Sequence, residues 1–129
     1  MGAIILGPRQ GKYGPDGSVK ALLGANIPLA SLGAFILWIG WFGFNGGSLL
    51  ALGSPLDALA MSIVYVNINL AAAGVVVAMI LGQISYGKVD VSLAFNGTIG
   101  GLVSITAGPD LQNYLLAIIF GGFGGGCLF

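Results

Sequence analysis

The chain has 129 residues, of which 57% are hydrophobic and only 6% charged, with four Lys or Arg balanced by four Asp or Glu and no histidine. A mean hydropathy of +1.00 is far above what the core of a water-soluble domain of this length requires, so the chain reads as a membrane protein. The neutral charge balance excludes nucleic acid as a partner, and without imidazole no histidine metal site, Ser-His-Asp triad or histidine proton relay can be built from these residues. No cofactor is implied and an enzyme is not expected.

The first residues, Met1 to Leu6, are too short an apolar run for a signal peptide and meet Gly7-Pro8-Arg9 without a small-residue cleavage site. They read as the tail of a helix whose beginning lies upstream. From Gly7 to Lys20 the chain is polar, glycine-rich and holds three of the four positive charges. Gly7, Gly11 and Lys12 approach the pattern of a phosphate-binding loop, but the glycine spacing is one short and Tyr13 stands where a magnesium-binding hydroxyl belongs. A solvated loop, turning at Pro15-Asp16-Gly17, is the reading that fits.

The next stretch, Asn26 to Ser48, is free of charge and of membrane length. As a helix, Pro28 to Gly46 rises roughly 28 Å, close to the thickness of a bilayer's hydrocarbon core. Pro28 suits the first turn, where its missing N–H breaks no bond, and Gly46-Gly47 suits the far end. A second span is expected over residues 58–82, a third over residues 91–108 and a fourth over residues 111–129. Cys127, within the last, reads as a small buried apolar filler. The fold class is therefore all-α, a polytopic transmembrane bundle of four spans.

Arg9, Lys12 and Lys20 precede the first span and Lys88 lies between the second and third, so all four positive charges fall on one side. Positive residues are retained inside, which makes residues 7–27 a cytoplasmic loop and turns the Gly43 to Ser48 end outward. Small residues recur four apart (Gly74, Ala78 and Gly82; Gly97 and Gly101; Gly121 and Gly125; Gly122 and Gly126) and let helix backbones approach closely in lipid. Asn67, Asn69, Asn96, Thr98, Ser104 and Thr106 would be costly against lipid, and most are expected to bond between helices.

The run Trp38 to Ser48, WIGWFGFNGGS, resembles a motif of the ammonium transporter family. Leu6-Gly7-Pro8-Arg9 resembles the end of that family's upstream signature, Val66 to Gly74 its following helix, and Asn96 to Gly108 the one after. The likeness runs nearly end to end and implies a fragment of an eleven-helix transporter, usually a homotrimer, covering about the sixth to ninth spans. It implies ammonium or ammonia as the solute, the cell membrane as the location, and roles for three residues: Ser48 in the outer vestibule, Phe44 in the gate below it, Trp41 in the pore wall. The family's paired pore histidines lie on spans outside this stretch, and Ala25 stands where many members have His before Asn-Ile-Pro. The competing reading is a small membrane packing or assembly subunit with no pathway of its own.

Overall fold

The computed structural model describes residues 2–20, 22 and 24–128, with the Ala3 side chain excepted. Among these residues the fold is all-helical: α1 (Gly2–Leu6), α2 (Ile27–Gly47), α3 (Pro55–Ala71), α4 (Gly74–Tyr86), α5 (Val91–Ile105) and α6 (Tyr114–Cys127).

Between α1 and α2 the polar segment folds into a small hairpin. Gly17 N–H donates to Gly14 O at 3.0 Å, Lys20 N–H to Lys12 O at 2.8 Å, and Tyr13 pairs with Val19 as an isolated antiparallel bridge. Pro15 sets the second position of this turn, and Gly17 takes φ +77° to leave it. The Ser18 hydroxyl donates to Asp16 Oδ1 at 2.7 Å, and this bond, helped by the Ser18 N–H, holds the Asp16 carboxyl below its ordinary range.

The helix ends are written in side chains. Asn26 Oδ1 accepts from Leu29 N–H at 2.9 Å and caps α2, with Pro28 in the first turn. Ser54 and Asp57 form a reciprocal capping box at α3, the Asp57 carboxylate accepting from Ser54 N–H at 2.9 Å and Gly53 N–H at 3.0 Å. Asp90 caps α5 and Asn113 caps α6. At the exit of α2 the first left-handed residue is Leu50, at φ +55°, where glycine is usual.

Among the described residues, two helical runs are long and apolar enough to cross a membrane: Ile27–Gly47, and Pro55–Tyr86 when α3 and α4 are taken together. The expected second span is thus longer than residues 58–82 and is interrupted at Ala72-Ala73. There the bonds tighten to three-residue spacing, with Ala73 N–H donating to Leu70 O at 3.0 Å, Val75 N–H to Ala72 O at 3.0 Å and Val76 N–H to Ala73 O at 2.9 Å.

The interruption is where α5 and α6 press closest. A Cβ placed at Gly121 would meet the Ala71 backbone, one at Gly101 the Ala71 carbonyl, and ones at Gly97 and Gly125 the Gly74 carbonyl. Gly74, Ala78, Gly97, Gly101, Gly121 and Gly125 are all buried, so the small-residue spacing marks a real contact. Carbonyl oxygens packed on glycine Cα–H groups make weak hydrogen bonds of roughly 0.5–1 kcal/mol each.

The remaining spans are shorter than expected. The α5 helix has 15 residues and α6 has 14, about 22 and 21 Å, so each falls short of a hydrocarbon core of about 30 Å. The connection between them, residues 106–113, replaces the ends of the two expected spans, with none of its residues fully buried. It meets Asn67, three turns into α3. Phe129, the expected end of the fourth span, lies outside the described residues. Cys127 is exposed at the end of α6 and is not a buried filler.

Candidate functional site

The sequence points to the last two turns of α2, and the structure shows what holds them. Trp41 is half-buried and packs, with Trp38, Phe42 and Leu49, on the fully buried cluster Val64, Ile68 and Leu102. Its indole N–H donates to Thr106 Oγ1 at 2.9 Å, a side-chain bond that ties α2 to the end of α5. Phe44, three residues on, stands edge to face against the Trp41 ring, with centroids 5.9 Å apart and planes at 74°. Ser48 follows four residues later as the C-cap of α2, and its hydroxyl donates to Phe44 O at 2.8 Å.

Along this face, Trp41 is half-buried, Phe44 is 59% exposed and Ser48 is exposed. The spacing places all three on one face, and the contacts agree. The Ser48 hydroxyl has spent its only proton on the helix backbone. What remains outward is an oxygen with two lone pairs, which can accept from an N–H donor but has nothing to donate. Below it lie two aromatic rings, Phe44 and Trp41, and a ring face turned to a cation attracts it by about 0.5–2 kcal/mol.

The opposite face of the same helix end is filled. Asn45 is 1% exposed, and a Cβ at Gly46 would meet the Tyr65 ring and Met61. Phe42 lies edge to face on Tyr65 at 5.2 Å. The glycine at position 46 therefore serves the close approach of α3 as well as the end of α2.

The polar residues of the later helices divide into two groups. Asn67 donates both amide protons to the α5–α6 connection, to Pro109 O at 3.0 Å and Leu111 O at 2.7 Å, and Ser104 donates to Phe120 O on α6 at 2.7 Å. Thr98 and Asn69 bond only within their own helices, to Ala94 O and Tyr65 O, contrary to the interhelical role expected. Asn96, with Ser92, lines a groove of about 480 Å³ between the early turns of α2 and α5, walled by Ile27, Ala34, Leu37 and Phe95. Trp41, Phe44 and Ser48 do not line this groove; their face is open. Sequence reasoning singled out Thr106 as a polar membrane residue but did not attach it to the site. Its position in the α5–α6 connection, which puts it beside α2, leaves no mark in the spacing.

The profile of the Ammonium Transporter Family matches residues 1–129. The chain is 50% identical over 105 residues to the ammonium transporter Amt2 of Archaeoglobus fulgidus, which covers 81% of this chain and 22% of that protein. It is 39% identical over 122 residues to the ammonium transporter Amt2 of Methanocaldococcus jannaschii, covering 94% of this chain and 27% of that one. Among solved structures it resembles a chain described as a Sensor Amt Protein, with a TM-score of 0.86 at 40% identity, covering 95% of this chain and 29% of the other. The chain thus spans about a quarter of the length of the relatives it matches.

Proposed function

Because the chain belongs to the ammonium transporter family, we propose that it forms part of the outer vestibule and pore wall of a longer ammonium or ammonia transporter. The observation that carries this reading is the open face of α2, where an acceptor-only hydroxyl at Ser48 stands above the Phe44 and Trp41 rings. An ammonium ion arriving from outside carries only donors. It would bond first to the Ser48 oxygen, then lose water against Phe44, with Trp41 lining the path below.

The chain is an integral membrane segment. We place it in the cell membrane with residues 7–27 and the Lys88 connection inside, residues 48–54 and the Asp110 connection outside, within a homotrimer of the longer protein. Its work there is passage of a solute and not chemical conversion. The alternative of a packing subunit without a pathway is not favoured, since the two archaeal sequences it matches are ammonium transporters in name.

The test is uptake of labelled methylammonium by the full-length transporter that carries this segment. Ser48→Ala should weaken apparent affinity by an amount up to that of one hydrogen bond to a charged group, about 1.5–3 kcal/mol. Phe44→Ala should change maximal rate more than affinity. If both variants match the parent in both quantities, the face is a packing face and the site assignment is wrong.

A further inference from the structure

We infer that Thr106 is a positioning residue for the solute path: its hydroxyl oxygen fixes the Trp41 indole and, through it, the Phe44 ring. The inference rests on the site reading above and adds a residue from another helix to it.

An indole has one polar hydrogen and no acceptor. In this structure that hydrogen is spent on Thr106 Oγ1 at 2.9 Å. The threonine hydroxyl is itself held, since its own proton goes to Leu102 O, one turn back on α5, at 2.9 Å. With the proton committed, the lone pairs are left to face α2, so the acceptor offered to Trp41 is fixed and does not rotate. Leu102 acts twice. Its carbonyl locks the hydroxyl, and its fully buried side chain belongs to the cluster on which the Trp41 ring lies. The indole is thus pinned at its polar edge and supported on its face by adjacent turns of one helix.

Phe44 has no such support. It is 59% exposed, and its ring contact is the edge-to-face one with Trp41. Whatever sets Trp41 therefore sets Phe44. There is a second consequence for the solute. An indole N–H left free would point a donor into a path whose solute also carries donors, and like would repel like. Bonded to Thr106, the indole leaves no free donor toward the path.

The test uses Thr106→Val, which keeps the shape and removes the oxygen, Thr106→Ser, which keeps the oxygen and removes the methyl, and Trp41→Phe, which removes the N–H. In the full-length transporter, Thr106→Val should lower the maximal rate of methylammonium uptake by roughly three- to tenfold, the range carried by one neutral hydrogen bond. Half-saturation, set at Ser48, should hardly move. Thr106→Ser should restore the rate, and in a Trp41→Phe background Thr106→Val should have no further effect. An additive double variant, or a Thr106→Ser protein as slow as Thr106→Val, would overturn the inference. If Thr106→Val does not assemble, hydrogen exchange at the Trp41 indole of the unmutated protein, assigned by its loss in Trp41→Phe, decides. A slow N–H supports the inference and a fast one overturns it. The two readings fail differently: uptake that responds to Phe44→Ala and Trp41→Phe but not to Thr106→Val sinks the positioning role alone, whereas indifference to all three sinks the site and this inference with it.

Discussion

Asn67 shows how much a single side chain can hold in a membrane. Fully buried on α3, it gives both amide protons to the carbonyls of Pro109 and Leu111, so two backbone groups of the α5–α6 connection depend on it. Its own Oδ1 has no partner among the described residues, and neither has Asn45 Nδ2 across the bundle. Asn67→Leu should leave both carbonyls unbonded and cost about 1–3 kcal/mol, given that polar contacts between membrane helices average well under 2 kcal/mol each. The midpoint of thermal inactivation of the full-length transporter in detergent measures it; a midpoint equal to the parent's would show that water takes the place of the amide. The sequence marked Asn67 and Thr106 as residues that must find partners: Asn67 donates outside its own helix, and Thr106, whose own proton goes back to Leu102 O, accepts from Trp41 of α2. It marked Thr98 and Asn69 equally, and both turned back to the carbonyl four residues earlier. A hydroxyl or amide on a helix can always choose that local carbonyl, and the choice depends on helix rotation, which the bare list of polar positions does not contain.

At the scale of elements, the interruption of the α3–α4 run and the glycines of α5 and α6 are one feature. The apolar length of the run and the four-residue spacing of small residues were legible, because hydropathy and residue size are properties of the sequence itself. The break was not. Residues 70–73 are Leu-Ala-Ala-Ala, among the best helix formers, so local preference argues for continuity and tertiary contact overrides it. Gly121→Ala puts a methyl group into the Ala71 backbone, which cannot move aside as a side chain can, and should cost about 1–3 kcal/mol of stability. Gly122→Ala meets only the end of Val77 at 3.2 Å and should cost under about 1 kcal/mol. Comparison of the two variants by thermal melting in detergent checks the pair, and equal losses would mean that α6 is free to shift on the break.

For the whole molecule, the all-helical class and the long apolar runs could be read from hydropathy and charge intervals, whereas the ends of the runs and the shortness of α5 and α6 could not. Val91 to Gly108 and Leu111 onward are apolar enough to span, but Thr106 and the carbonyls near Asn67 draw the connection inward. The topology proposed from the charges has a direct check. In a background carrying Cys127→Ser, needed because the native thiol is exposed, a cysteine at position 54 should react with an impermeant reagent added outside, and one at position 87 should not. Reaction at position 87 alone would invert the orientation. Of the two membrane-length runs, α2 has only 6% of its apolar window buried against 39% for α3 and α4. Residues 1–129 expressed alone should therefore not form a monodisperse monomer in detergent, and a sharp monomer peak in size-exclusion chromatography with protected amides throughout would count against this.

The interrupted run also has a place in time. Its uncovered stretch at Ala71 to Gly74 leaves the ribosome before the residues that shield it, since Gly97 and Gly101 follow about a fifth of the chain later and Gly121 and Gly125 about fifty residues behind. At roughly 5–20 residues per second of synthesis, the bend waits seconds for its cover. During that interval its backbone is held by whatever lines the insertion machinery or by lipid. Of the helices described, α6 is thus the one whose emergence completes the cover of this stretch, and a nascent chain stalled before α6 would carry a span that is inserted but not yet closed.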